Sequence, residues 1–259
     1  MLKVISKQII EFVLIRVLPF VAAFVVSLLI NDVLAQEFLS GAESKSVDLT
    51  RDKVFYCVGY AHLDTQWRWA YPQVIREFIT NTLHDNFKLI DKYPDYIFNF
   101  TGSRWYEMMK EYYPEDYEKI KGYIAAGRWF PAGSSVDEND VNMPGLESII
   151  RHVLYGNHLF RREFGIASNE YMLPDCFGFP ASLPTILNHC GIKGFSTQKL
   201  SWGSAVGIPF KVGNWVGPDG KSVIAALDPG SYGSKIKEDL SQSQIWLKRI
   251  ENTGAISGA

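Results

Sequence analysis

Cysteine is scarce in this chain: Cys57, Cys176 and Cys190 are the three cysteines among 259 residues. An odd and small number excludes a disulfide framework, and the spacing is not that of a zinc finger. We interpret Cys57 as a core residue of a buried strand. An excess of charge of one sign is also lacking, since the formal net charge is -2 and neither half is strongly basic. The composition therefore gives no basis for a nucleic-acid partner.

Internal repeats and low-complexity tracts are absent, and one long hydrophobic run stands out near the N-terminus. Val17 to Ile30 is almost wholly apolar, follows a sparse basic start, and precedes Val33-Leu34-Ala35. The run is shorter than the ~20 residues that span a bilayer and has the length of a signal-peptide core. We predict a signal peptide over 1–35, with an uncleaved anchor as the alternative, and a polar linker over 36–52. Either way the protein is predicted to be exported: secreted, periplasmic or on the outer surface.

The rest of the chain, from residue 53 onward, predicts one α/β domain. A continuous apolar run at 54–60 is typical of a strand buried on both faces. Apolar residues recur at helical spacing over 73–92 and again over 146–164. Strand followed by helix, repeated several times, indicates β-α units and a mainly parallel sheet, with a hairpin over 210–227. In such folds ligands collect at the carboxyl ends of the strands.

Three side chains at predicted strand ends have the chemistry of metal ligands. His62 and Asp64 follow the first strand two residues apart, so both can face one point, and their nitrogen and oxygen atoms suit zinc. A strand-end histidine hydrogen-bonded to a loop carboxylate explains this pair equally well. Asp175 follows a strand over 170–173, where an ionised carboxylate among hydrophobic residues needs a partner. The alternative for Asp175 is a helix cap. Asp137 and Glu138 are predicted to lie on a solvated surface.

Four motifs together carry a family resemblance: A-H-L-D-T-Q-W-R-W, G-R-W-F-P-A-G, D-V-N-M-P-G-L-E-S-I-I-R and P-D-C-F-G-F-P. In order and spacing they resemble the N-terminal domain of glycoside hydrolase family 38 α-mannosidases, over roughly residues 54–235. The resemblance implies a (β/α)7 barrel-like domain with mainly parallel strands, incomplete at its C-terminus, over 53–259.

The same resemblance implies a function and a site. It implies a retaining α-mannosidase that hydrolyses terminal α-mannosides of glycans with a divalent metal, Zn²⁺ or in some members Ca²⁺. The implied ligands are His62, Asp64 and Asp175, with Asp175 also the catalytic nucleophile. Trp67, Trp69 and Asp140 match positions that bind the sugar.

Two parts of the family site have no match in the chain. A retaining glycosidase needs a second carboxylate as general acid/base, and neither Asp228 nor Asp239 has the matching context. We expect this residue, and a further metal-binding histidine, beyond Ala259, and we expect the chain alone to be inactive.

Two other functions are compatible with the same residues. A metal-dependent carbohydrate deacetylase also uses ligands spaced like His62 and Asp64, but it needs two histidines four residues apart, and His152 and His158 are six apart. A non-catalytic carbohydrate-binding relic is the second alternative.

Overall fold

The computed structural model describes residues 48, 57–201, 207–227, 240 and 242–252. The chain divides into a unit of residues 1–54 and a unit of residues 55–259, and the second contains every described residue except Asp48. The predicted signal peptide over 1–35 lies outside the described residues. Within the described part, no helix is both long enough and apolar enough to span a membrane.

Three parallel strands form the first sheet, in the order β1-β2-β3. Their bounds are Gly59–Tyr60 for β1, Phe98–Thr101 for β2 and Trp129–Ala132 for β3. The helix α1 lies between β1 and β2 and consists of Tyr71–Gln73, a π-helical segment Val74–Ile79, and Thr80–Lys92. Two helices connect β2 to β3: α2, Ser103–Tyr112, and α3, Pro114–Ala125.

The core beside the first sheet is dominated by aromatic side chains. The Trp129 ring lies edge-on to Phe98 with 4.7 Å between ring centroids. Its indole N–H donates to the hydroxyl of Tyr106 at 2.9 Å, and that hydroxyl donates to the Phe100 carbonyl at 3.0 Å. Since these buried polar atoms are hydrogen-bonded, the large rings add apolar area without the cost of an unpaired donor. The α1 residues that pack here are Val74, Ile79, Leu83, Phe87 and Ile90.

Four strands form the second sheet, in the order β4-β5-β7-β6. Their bounds are Glu170–Met172 for β4, Gly194–Ser196 for β5, Val212–Val216 for β6 and Ser222–Ala226 for β7. Only β6 is antiparallel to its neighbour, and it forms the predicted hairpin with β7. The remaining helices are α4, Leu146–Phe164, α5, Leu183–His189, and α6, Gln244–Asn252.

The predicted α/β class with mainly parallel strands is confirmed, while the closed (β/α)7 barrel is not. Seven strands are described, but they belong to two sheets, and no ladder joins β3 to β4 in the described part. The prediction for Cys57 was wrong, since Cys57 is exposed and β1 begins only at Gly59. Within the described part of the apolar run, Gly59 and Tyr60 pair with β2, whereas Cys57 and Val58 precede the strand. Its first residues, 54–56, lie outside the described range.

The chain leaves β3 through a tight turn that depends on two close backbone approaches. Gly133 has φ +82°, and a Cβ there would lie 2.8 Å from Thr101 Cγ2. Ser134, which follows, has φ +53° and is fully buried. On the other side, Gly156 of α4 is so near that an added Cβ would lie 2.5 Å from the Ser135 carbonyl carbon. This packing fixes the start of the segment that carries Asp137 and Glu138.

Candidate active site

A cleft of about 950 Å³ opens where several strands end. Polar residues reach it from the segments after β1, β3, β4 and β5, which is the edge of an α/β sheet where ligands bind. Its polar and charged lining residues are His62, Asp64, Arg68, Glu138, Asp140, Asp175, Cys176 and Lys199, and its apolar ones are Leu63, Trp67, Trp69, Phe78 and Phe177.

Two of the three predicted metal ligands, Asp64 and Asp175, approach the same atom of the third, Nε2 of His62. Nε2 of His62 lies 3.5 Å from Asp64 Oδ1 and 3.6 Å from Asp175 Oδ2. Asp64 follows the same strand as His62, whereas Asp175 is more than a hundred residues away in the sequence and follows β4. The fold therefore brings these distant side chains to one place, as the sequence predicts.

Glu138 is also part of this site, so its predicted place on a solvated surface was wrong. Its side chain is only 10% exposed, and its Oε2 lies 2.6 Å from Nδ1 of His62. Its other oxygen, Oε1, accepts a hydrogen bond from the hydroxyl of Thr101. That hydroxyl lies 3.1 Å from the hydroxyl of Tyr60. Nδ1 of His62 therefore contacts a loop carboxylate, as the alternative without a metal predicts. Its Nε2 faces the predicted metal ligands Asp64 and Asp175.

The prediction of a solvated surface was wrong for Asp137 as well. Its Oδ2 accepts from the Thr65 hydroxyl at 2.9 Å, and its Oδ1 accepts from the Glu138 N–H at 2.9 Å. Burial raises the pKa of Asp137 above its ordinary value. Both acids follow the buried strand β3, and this position was the signal in the sequence that could have identified them.

The carboxyl of Glu138 lies in an environment that disfavours its charge. Burial, and after it the negative charge of Asp175, raises the pKa of Glu138 well above its ordinary range. Burial also raises the pKa of the Cys176 thiol to about 12, so that thiol is protonated at neutral pH. The Cys176 Sγ lies 3.0 Å from the Asn139 carbonyl, which accepts its hydrogen bond. Cys176 is therefore a poor nucleophile and helps to hold the loop after β3.

Lys199 is a site residue that the sequence analysis missed. It begins a short 3-10 turn, Lys199–Ser201, soon after β5. Its side chain is 10% exposed, and its ammonium forms an ion pair with Oδ1 of Asp175. The same ammonium lies 5.0 Å from the centre of the Phe177 ring. Lys199 thus holds one Asp175 oxygen while the other faces His62.

The predicted sugar-binding residues all line the cleft, in different ways. Trp67 is 64% exposed, with Arg68 stacked 4.4 Å over its ring. Trp69 is half-buried: it packs edge-on against Phe78 at 4.8 Å, and its indole N–H donates to the Asp64 carbonyl at 3.3 Å. Trp67 also meets the Trp69 ring at 5.5 Å in a T-shaped contact, yet most of its surface is exposed. Trp69 supports the backbone of Asp64.

Asp140 lines the cleft on the loop that leads to α4. Its Oδ1 accepts from the Asn142 N–H at 2.6 Å and from the Met143 N–H at 3.4 Å. These bonds orient the carboxylate within a tight turn at the cleft wall.

The atom types of the predicted ligands suit zinc, and two of the distances between these ligands match a zinc site. One imidazole nitrogen and two carboxylate oxygens are zinc ligands, and bonds of about 2.0–2.2 Å in a tetrahedron separate two ligand atoms by about 3.3–3.5 Å. The two distances from His62 Nε2, 3.5 and 3.6 Å, are close to that separation. In the described part of the chain, however, no three His, Cys, Asp or Glu side chains meet the spacing of a complete metal-holding group.

The chain is similar to proteins of one family. It matches the family described as "Glycosyl hydrolases family 38 N-terminal domain" over residues 53–252. It is 35% identical to Alpha-mannosidase G of Dictyostelium discoideum over 233 residues, which is 82% of this chain and 21% of that protein. It is also 35% identical to Alpha-mannosidase 2C1 of Homo sapiens over 179 residues, 69% of this chain and 17% of that protein. The chain thus spans about a fifth of the length of these curated relatives.

A solved structure shares the fold. The chain superimposes on an alpha-mannosidase from Enterococcus faecalis V583 with a TM-score of 0.62 and 20% identity, over 76% of this chain and 22% of that one.

Proposed function

The chain belongs to glycosyl hydrolase family 38, and on that premise we propose that it forms the nucleophile-bearing part of a retaining α-mannosidase. The proposed substrates are terminal α-mannosides of glycans. Two of its relatives are named α-mannosidases, which supports the reaction class. The observation that carries the proposal is the approach of Asp64 and Asp175 to one nitrogen of His62, at 3.5 and 3.6 Å, inside the cleft.

In the proposed reaction Asp175 is the nucleophile. One of its oxygens forms a bond to the anomeric carbon of mannose as the bond from that carbon to the leaving oxygen breaks, and a general acid protonates that oxygen. Water then attacks the anomeric carbon and gives its proton to the same acid/base group, while the bond from that carbon to Asp175 breaks, so the configuration of the sugar is retained. We assign the general acid/base to no residue of this chain.

His62, Asp64 and Asp175 are the residues that would hold a divalent metal, Zn²⁺ or Ca²⁺. When bound, such an ion supplies a positive charge that binds sugar hydroxyls and withdraws charge from the nucleophile. The ion pair with Lys199 orients Asp175. The exposed face of Trp67 would pack on the sugar ring, Trp69 would hold Asp64 in place, and Asp140 would accept from a sugar hydroxyl.

A covalent labelling experiment tests the nucleophile without requiring the general acid. Dinitrophenyl α-mannoside has a leaving group that departs without a proton, so attack by Asp175 alone suffices to form the mannosyl-enzyme. We expect mass spectrometry to find one added mannosyl group on the peptide that contains Asp175, and none in Asp175→Asn. Asp85→Asn is the matched control, because Asp85 is 69% exposed on α1 and is not among the residues that line the cleft.

Two outcomes would contradict the proposal. A label on another carboxylate would mean that the nucleophile is misassigned. Binding of mannosides with no label at all would favour the non-catalytic carbohydrate-binding function.

Two wider proposals accompany this function. We propose that the protein works outside the cytoplasm, supported by the apolar run and the small residues that follow it over 17–35. We also propose that the two sheets belong to one (β/α)7 barrel. This is supported by the side chain of Glu170 on β4, whose Oε1 accepts from the Gly133 N–H directly after β3 at 2.6 Å.

A further inference from the structure

We propose that Glu138 is a positioning residue that fixes the tautomer of His62, with the proton on Nδ1 and the lone pair of Nε2 directed at Asp64 and Asp175. The consequence for metal binding depends on the function proposed above, but the tautomer itself does not. Glu138 would then act through His62, with no contact to substrate.

A line of hydrogen bonds connects the ends of three strands to His62. Tyr60 ends β1, Thr101 ends β2, and Glu138 follows β3. The Tyr60 and Thr101 hydroxyls are 3.1 Å apart, Thr101 donates to Oε1 of Glu138, and Oε2 of Glu138 is 2.6 Å from Nδ1 of His62. Both carboxylate oxygens are therefore occupied, and the line ends on the ring of a predicted metal ligand.

The direction of these bonds selects one tautomer. The tautomer follows for the ionised form of Glu138, which only accepts hydrogen bonds. Its Oε1 accepts from Thr101. Oε2 then accepts from Nδ1–H, and Nε2 of the neutral ring has no proton. A free neutral imidazole favours the other tautomer, with the proton on Nε2. In that form Nε2 is a donor and cannot bind a metal until the proton moves.

The effect on metal binding follows from the same geometry. A metal-binding histidine usually donates its other ring N–H to a carboxylate or carbonyl, and removal of this partner typically costs about 10–100-fold in metal affinity. Without Glu138 the proton of the neutral His62 ring would move to Nε2, and Nδ1 would lose its hydrogen bond to Oε2. We therefore expect the loss of Glu138 to weaken zinc binding by about 10–100-fold.

The experiment compares two substitutions of equal size. Glu138→Gln keeps an oxygen that can accept from Nδ1–H, and its amide can donate to Thr101, because the Tyr60–Thr101 hydrogen bond can run in either direction. Glu138→Met has a similar shape and no hydrogen-bonding oxygen. The control is Glu147→Gln, since Glu147 is 76% exposed at the start of α4.

The first readout is nitrogen NMR of histidine-labelled, metal-free protein at about pH 8, above the ordinary imidazole pKa. A His62→Gln variant identifies the His62 signals among those of the five histidines. We expect protonated Nδ1 in the unsubstituted chain, in E138Q and in E147Q, and protonated Nε2 in E138M. Calorimetric zinc titration is the second readout: E138M weakens binding by about 10–100-fold, and E138Q by less than about tenfold.

The unsubstituted chain alone can overturn the proposal. If its metal-free His62 has the proton mainly on Nε2, Glu138 does not set the tautomer, and this holds even if E138M fails to fold. Equal spectra for E138M and E138Q would overturn it as well. Neither readout needs turnover, so a failed labelling of Asp175 would refute the proposed reaction and leave this inference intact.

Discussion

Gly156 should be the least replaceable glycine of the helices, because α4 meets the backbone of the active-site loop there. An added Cβ would lie 2.5 Å from the carbonyl carbon and 2.6 Å from the carbonyl oxygen of Ser135. These are backbone atoms in a segment that also holds a residue with positive φ, Ser134. The segment cannot yield by a change of rotamer, so helix and loop must move apart.

Two opposing terms set the size of the effect. Alanine in place of glycine favours a helix by about 1 kcal/mol. Forcing an extra carbon into a close-packed contact costs typically about 1–3 kcal/mol, and we take the upper end because the contact is with backbone. Gly156→Ala should therefore lower the free energy of unfolding by about 2 kcal/mol.

Gly122 provides the matched comparison. It lies within α3, and an added Cβ there would have no atom within 4 Å. Only the helix term remains, so Gly122→Ala should raise the free energy of unfolding by up to about 1 kcal/mol.

Urea unfolding of the two variants and the unsubstituted chain measures both changes. With a slope of about 2 kcal/mol per M, the midpoint should fall by about 1 M in Gly156→Ala and rise by up to about 0.5 M in Gly122→Ala. Zinc titration should also show weaker binding in Gly156→Ala, since the displaced segment carries Glu138. A midpoint for Gly156→Ala equal to or above that of the unsubstituted chain would refute the packing described for α4 and the loop.

Two further predictions concern the cleft wall and the seam between the sheets. Trp69→Ala should lower the free energy of unfolding by about 2 kcal/mol, roughly half the cost at a fully buried site, because Trp69 is half-buried against Phe78. Trp67 is exposed, so Trp67→Ala should change the free energy of unfolding by less than about 0.5 kcal/mol and should weaken mannoside binding instead. Urea unfolding and mannoside titration separate the two, and equal stability of both variants would contradict the different roles. Burial raises the pKa of Glu170 above its ordinary value of 4.5. Between that pH and the folded-state pKa the folded chain binds more protons than the unfolded chain, so its stability falls as the pH rises through this window. Glu170→Gln should therefore gain stability relative to the unsubstituted chain as the pH rises above 4.5, and parallel pH profiles of the two unfolding midpoints would contradict this.

The sequence determined the helices and most strands because their signals are local. Apolar residues at helical spacing act within a few residues, and α4 has the predicted bounds Leu146–Phe164. The proximity of the predicted metal ligands was also predictable, since each follows the carboxyl end of a strand and such ends gather ligand-binding residues. His62 and Asp175 meet there although different sheets hold their strands.

What the tertiary structure alone decided is which polar residues are buried and what they contact. Asp137 and Glu138 stand in an acidic loop that has the composition of a solvated surface, yet the turn at Gly133 and the close approach of α4 direct Glu138 onto His62. Lys199 has no local signal, and it becomes a partner of Asp175 because β4 and β5 are neighbours in the second sheet. Cys57 is the opposite case: its apolar run predicts burial, yet Cys57 is exposed. A strand residue is buried only where other segments of the fold pack against it. Periodicity and capping depend on neighbours in the chain, whereas burial and ion pairing depend on which distant segments the fold brings together.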